Sequence, residues 1–456
     1  MPTSARHALK KSAFSIVDGP ILRNICLFSV PLIFTNMLQV LFNMVDIAVV
    51  GQFAGARALG AVGSTPNLLF LFGGLLIGIG GGVNALVAYF IGARDKKSLS
   101  ETIHTAAIFC FFFGVLLLLI GTVFGREILL AMNTKADLLD GAALYFRIYM
   151  CGMPAVALYN FGNAIFSASG NTERPLYFLA ISGIANVILD LIFVILLHLD
   201  VAGVALATVI AQYISALLVI ISLLREKSDI RLSLPKLRIE KSKLARLASV
   251  GLPSGFQNMI FAFANVFVQI GVNSFDSVMV AGNSASANVD PLIYNIMAAI
   301  YVACATFIAQ NYGAGQRGRV RKSYLAATFL SFGIAFVLGA LLFVFSRQVM
   351  SLFTSDKDVI ECALHRVRIM AFSYCVSAFM DCTIAACRGL GKTLVPSIFV
   401  FLGSCVFRIA WILTVFARFG TIESLFLLYV FSWGITAIFE IAYFVRIYRK
   451  SFSNFA

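Results

Sequence analysis

The sequence predicts an all-α integral membrane protein of twelve transmembrane helices in two similar six-helix lobes, on three observations. Sixty per cent of the 456 residues are hydrophobic and only 12 % charged, against about 45–50 % and about 25 % in ordinary soluble domains, so the apolar excess has to face lipid. The charges gather in short clusters and leave apolar runs such as Ile21 to Val50 and Leu325 to Phe345, each long enough for a hydrocarbon core that needs about 20 helical residues. Finally, the second half of the chain repeats landmarks of the first at an offset of about 221 residues.

Apolar runs bounded by charges, Gly or Pro place spans near 21–50, 60–91, 98–124, 141–168, 175–198 and 202–224. The most charged stretch follows, Arg225 to Arg246, and a second set lies near 247–274, 283–311, 324–346, 361–387, 395–417 and 421–445. The expected organisation is a first six-helix lobe over 1–224, a basic linker over 225–246 and a second lobe over 247–456. Strands would need period-2 alternation, which is absent. The 43 Phe and 35 Gly suit helices that show aromatics to lipid and pack closely through small residues.

Ala88-Tyr-Phe-Ile-Gly92-Ala93 aligns with Ala309-Gln-Asn-Tyr-Gly313-Ala314, and Gly170-Asn-Thr172-Glu-Arg-Pro175 with Gly391-Lys-Thr393-Leu-Val-Pro396. Pro31 and Asn36 match Pro253 and Asn258 one residue further along. Because six is even, the halves share one orientation and form a parallel repeat, the plan of many transporters, with a ligand site between or inside the halves.

A net charge of +14 would suggest nucleic acid in a soluble protein, but its placement decides otherwise. Arg6, Lys10, Lys11 and Arg23, then Arg94, Lys96 and Lys97, Arg174, the linker, Arg317 to Lys322, Arg388, Lys392 and Arg446 to Lys450 put 25 of the 35 basic residues on one side. The positive-inside rule then puts both termini of a multi-pass plasma-membrane protein in the cytoplasm. The nine cysteines form no Cys-x-x-Cys pair, so neither a disulfide framework nor a zinc site is indicated. The first 20 residues are polar and the apolar run after them is far longer than a signal-peptide core, so it is read as a retained span.

An acid inside a span costs about 2.5–3.5 kcal/mol on insertion scales and is a functional hypothesis by default. Asp46, Asp190, Asp290, Asp381 and Arg408 stand out. Asn186 and Asp190 are four apart and share a helix face, as do Asn43 and Asp46. Asp46 and Asp190 both fall in the outer half of their helices, so they can share a cavity that takes a proton or a sodium ion; the alternative is a polar knot tying helices together. Asp290 and Arg408 are expected to form an ion pair, structural or transport-linked, and His198 reads as a loop residue.

Gly389-Leu-Gly391-Lys392-Thr393 lacks the first glycine of a P-loop, which would fall on Ala386, and follows no strand. The glycines from Gly73 to Gly82 read as a close-packing helix face. No Ser/His/Asp set, HExxH or metal-spaced cluster occurs, so enzymatic chemistry has no carrier.

Pro31, Val45-Asp46, Val50-Gly51, Ala58-Leu-Gly-Ala-Val-Gly63 and Ala88 to Ala93 together resemble the multidrug and toxic compound extrusion (MATE) transporters. The resemblance continues through Gly170 to Pro175, Asn186 to Asp190, Gly251-Leu-Pro253, Gln310 to Ala314 and Arg388 to Gly391, nearly the whole chain. It implies a V-shaped antiporter that exports organic, mostly cationic, drugs or toxic compounds in exchange for Na+ or H+. It also implies an ion and substrate site at Asp46, Asn186 and Asp190, with fourth- and sixth-helix polar positions on Asn160, Asn163 and Thr208. The seventh-helix acid of some branches is missing, since Phe256 to Phe267 offers only Gln257 and Asn258. Asp381 is displaced from the family's tenth-helix acid, so Gln257, Asp290, Asp381 and Arg408 are the second-lobe candidates and the first lobe is favoured. The expected partners are the lipid bilayer and small organic cations, with no nucleic acid; the chain is expected to act as a monomer and to need no cofactor beyond the coupling ion. The alternative is a flippase for lipid-linked oligosaccharides or cell-wall precursors, which would need a cationic cavity for phosphates.

Overall fold

A computed structural model describes residues 15–132 and 134–452; Arg6, Lys10 and Lys11 lie outside the described residues. Within them every regular element is helical. The spans are α1 (Ile21–Ala54), α2 (Arg57–Gly92), α3 (Lys96–Ala131), the bent α4 (Ala136–Met150 and Met153–Ala168), α5 (Glu173–Leu196) and α6 (Asp200–Leu224). After the linker come α7 (Lys241–Val272), α8 (Ser277–Gly313), α9 (Arg317–Val344), α10 (Lys357–Gly389), α11 (Leu394–Phe419) and α12 (Ile422–Ser451). Eleven are single helices long and apolar enough to cross a membrane, and the two parts of α4, bent by 45°, make the twelfth. The bend follows from Gly152 and Pro154, where proline withholds a backbone donor.

Several helices outrun the apolar runs that announce them. The third ends at Ala131 where apolarity alone suggests 124, and the tenth begins at Lys357 where it suggests 361. Aspartates that cap the helix starts explain the early starts, of the third at Lys96 and the tenth at Lys357: Asp95 accepts from the Ser98 N–H at 3.0 Å, and Asp356 from that of Asp358 at 2.9 Å.

The buried side chains fall into two main cores. One is built from α2 to α6, and α7 adds Leu247 to it. The other is built from α8, α9, α10 and α12, and α1 adds Ile25, Phe28 and Leu32. Each group therefore lends the start of its first helix to the other.

The two groups meet at the end where α1 begins and α12 finishes, the terminal end, and the repeat landmarks are the contact points. The Asn36 amide donates to the Asn295 carbonyl at 2.8 Å, and its counterpart Asn258 donates to the Gly74 carbonyl at 2.9 Å. Thr172 bonds the Phe28 carbonyl and Thr393 the Ser249 carbonyl, both at 3.0 Å. A Cβ on Gly92 would stand 1.9 Å from the Gln310 carbonyl oxygen, and one on Gly313 2.0 Å from that of Tyr89. Gly78 and Gly82 let α2 lie against Gly255 and Gly251 of α7 at backbone contact. Away from this end, Gly55–Gly63 packs on its own group and Ser277–Ala287 on the other, so a cleft opens between them.

Candidate functional site

Gly183 decides the geometry of the first lobe's interior. A Cβ there would fall 1.8 Å from the Phe42 ring, so α5 takes the ring of α1 into its own surface. Asp46 lies one turn beyond Phe42 and Asn186 one turn beyond Gly183, so the close approach turns them toward each other. Asp46 is 7 % exposed and Asp190 fully buried, and their carboxyl groups are within hydrogen-bonding reach.

Thr208 of α6 donates to Asp46 Oδ2 at 3.3 Å and to the Val204 carbonyl at 2.9 Å. Asn186 donates to Asp190 Oδ2 at 3.3 Å. Oδ1 of both aspartates is buried without a hydrogen-bond partner, and one turn past Thr208 so is Oε1 of Gln212. Tyr145 and Tyr149 of α4 stand beside the acids. Among the described residues neither aspartate has an ion-pair partner. Two carboxylates, an amide and a hydroxyl make an all-oxygen set, suited to a proton or a hard cation. Both helices widen into π geometry directly afterwards, over Val50–Ala54 and Leu191–Leu196, a feature frequent at functional sites.

Of the remaining first-lobe candidates, Asn160 donates to the Val156 carbonyl at 2.9 Å and Asn163 accepts from Ser167 at 3.3 Å, both within their own helix. The structure joins Thr208 to Asp46 and gives Asn160 and Asn163 no bond to either acid.

The second lobe differs from expectation. Asp290 pairs not with Arg408 but with Arg366 of α10, through both guanidinium branches, and accepts from the Tyr374 hydroxyl at 2.5 Å. Arg366 was not singled out because it follows the expected helix start by only a turn and reads as an outer-loop charge; the longer α10 takes it inside, 5.2 Å from the Phe426 ring. Arg408 instead bonds Asn265 at 2.9 Å and Ser432 at 3.3 Å. Asp381 lies beside Tyr301 and Arg388, and Gln257 is buried in α7. Glu440 of α12 also escaped the sequence reading; it is fully buried and both its carboxylate oxygens lack partners. The signal was present, since past Glu423 at its start Glu440 is the one acid in the apolar run from 421 to 445.

The MatE family model matches residues 31–192 and again 253–413, one match in each half. The chain is 28 % identical over 383 residues to the probable multidrug resistance protein YoeA of Bacillus subtilis (strain 168), covering 82 % of this chain and 83 % of the relative. It is 24 % identical over 434 residues to the probable multidrug resistance protein NorM of Thermotoga maritima, covering 92 % and 91 %. A solved structure of an outward-facing multidrug resistance MATE transporter of the MOP superfamily has the same fold, with a TM-score of 0.89 at 21 % identity over 96 % of this chain and 98 % of that one. With both halves matched by the family model, the chain belongs to the MatE family, whose members are multi-pass membrane transporters and not enzymes.

Proposed function

We propose that the protein is a secondary antiporter of the plasma membrane that exports organic, mostly cationic, compounds from the cytoplasm in exchange for Na+ or H+. The observation that carries this reading is the Asp46–Asp190 site: two buried carboxylates in contact, each with an oxygen lacking a partner and neither balanced by a basic side chain. Two like charges in one desolvated site favour holding one small cation between them. Filling and emptying the site changes the charge buried between α1, α5 and α6, and so biases one packing of the lobe over another. The terminal end is the cytoplasmic one in this reading, because it carries 22 of the 32 basic residues among the described ones. The closed terminal end and open far end then correspond to an outward-facing state, as in the solved relative. The chain works as a monomer, in the lipid bilayer and without a cofactor; lobe rocking about the shared helix starts supplies alternating access.

The test is efflux of fluorescent cations from reconstituted vesicles with Na+ and proton gradients imposed separately. Asp46→Asn and Asp190→Asn should each cut gradient-driven efflux at least tenfold while the protein still inserts. Wild-type rates in both variants would defeat the proposal.

A further inference from the structure

Arg408 has no part in ion coupling as proposed, and its surroundings give it another. It is 1 % exposed and sits roughly 21 Å along α11 from Leu394 at about 1.5 Å per residue. An arginine at this depth is always charged and costly to bury, yet no carboxylate lies within 4 Å of it among the described residues. Asp290, the acid of this lobe's outer half, is committed to Arg366 and Tyr374. The neighbours of Arg408 are neutral. Its Nε donates to Ser432 at 3.3 Å, its Nη1 to Asn265 at 2.9 Å, and the Tyr429 ring centre lies 4.5 Å from the guanidinium carbon. Those two bonds use two of five N–H donors.

The internal repeat shows where this cation stands. Arg408 follows Asn186 by 222 residues and Tyr429 follows Thr208 by 221. The π segment at Ile412–Phe416 likewise answers the one at Leu191–Leu196. The second lobe thus places a permanent cation where the first lobe places its ion site.

Asn265 gives access to it. It lies seven residues, about two turns, beyond Asn258, whose amide crosses to Gly74 of α2. It therefore shares the face of α7 that looks at the first lobe. Asn265 is nevertheless exposed, so at its level that face borders the open cleft.

We infer that Asn265, Arg408 and Tyr429 form an anion subsite on the cleft wall of the second lobe, which takes a carboxylate or phosphate group of the transported molecule. The subsite deepens the export reading and rests on it: an amphoteric compound docks its acidic group on Arg408, while the coupling ion is handled in the first lobe. The anion supplies the counter-charge that the fold withholds, and the free N–H donors give it directional bonds.

The experiment uses two dyes of one scaffold, tetramethylrhodamine with a free carboxylate and its methyl ester, which differ only in the anionic group. In reconstituted vesicles the wild type should export both. Arg408→Gln should lower export of the free acid at least tenfold and leave the ester within twofold, and Arg408→Lys should restore part of the loss. Equal falls for both dyes would mean that Arg408 only holds the lobe together, and would overturn the subsite. So would a wild type that exports the ester alone. Fluorescence anisotropy of the same dyes on the purified full-length protein reads the subsite without transport: the free acid should bind at least tenfold more weakly to Arg408→Gln than to wild type, with the ester unchanged. Equal affinities overturn the subsite even where export succeeds. Selective binding without gradient-driven export of either dye would instead count against antiport.

Discussion

The two lobes are copies that agree at their seam and disagree in their interiors. At the seam, Asn36 and Asn258, Thr172 and Thr393, and Gly92 and Gly313 make the same bond or close approach, each to the opposite partner. Inside, the first lobe buries two aspartates without a basic partner, whereas the second buries two arginines, one matched by Asp290 and one left without a carboxylate, and apart from them Glu440 with both oxygens unpartnered. The seam must close against itself through a pseudo-two-fold relation, so both copies face the same steric demand. The interiors carry no such tie. Once the seam holds the halves together, each lobe can take a separate task, and the proposed tasks follow the unmatched charge at corresponding positions: a small cation at Asp46 and Asp190, an anionic group at Arg408.

The largest effect expected on stability concerns the matched pair of the second lobe. Arg366→Met leaves the half-buried Asp290 with only Tyr374 and should cost about 3 kcal/mol, the low end for a buried pair, seen as a large fall in melting temperature in detergent. If Arg366→Met melts like wild type, the second interior does not depend on charge balance and the contrast between the lobes weakens. A smaller effect is expected at the close approach of the first lobe. Gly183→Ala forces the Phe42 ring away and should cost about 1–3 kcal/mol, with ion-driven efflux falling more than stability because Asp46 moves with the same helix. An unchanged ion dependence would show that the contact between α1 and α5 does not set the carboxyl geometry.

The smallest effect lies outside the membrane, where Arg174 at the start of α5 meets Glu226 of the linker at 2.5 Å. Burial pushes the Glu226 carboxyl up, but Arg174 and the backbone N–H groups of Lys227 and Ser228 outweigh it and hold it below the usual carboxylate range. A carboxyl depressed on folding adds stability above its unfolded value and loses it as pH falls through the folded one. Glu226→Gln should therefore cost roughly 1 kcal/mol near neutral pH, and the difference in melting temperature should vanish in acid. A gap that persists once the carboxyl is protonated in strong acid would assign the role to shape rather than charge.

Much of this was legible in the chain because lipid imposes one-dimensional rules. A span must be long and apolar, so composition and charge clusters located the twelve helices, and the orphan acids Asp46 and Asp190 stood out against that background. Glu440 was equally exceptional in kind and was passed over inside an apolar run; Arg366 was misplaced because the start of α10 depends on the cap at Asp356, five residues before the apolar run. The Asp290–Arg408 pairing failed for a different reason. Depth along a helix can be counted, but the direction a side chain takes around the bundle depends on helix rotation and on which neighbour is nearest.

The sequence by itself determined the solvent, the number of crossings, the duplication and the presence of acids at membrane depth, since each follows from hydropathy, charge placement or self-similarity along one chain. Tertiary structure alone decided partners: that Phe42 enters the surface of α5 at Gly183, that Asp46 meets Asp190 and Thr208, that Arg366 takes Asp290, and that Arg408 is left without an acid. Pairing is set by which faces of separate helices are pressed together, and that depends on small residues such as Gly183 and Gly92, whose importance comes from what they allow to approach.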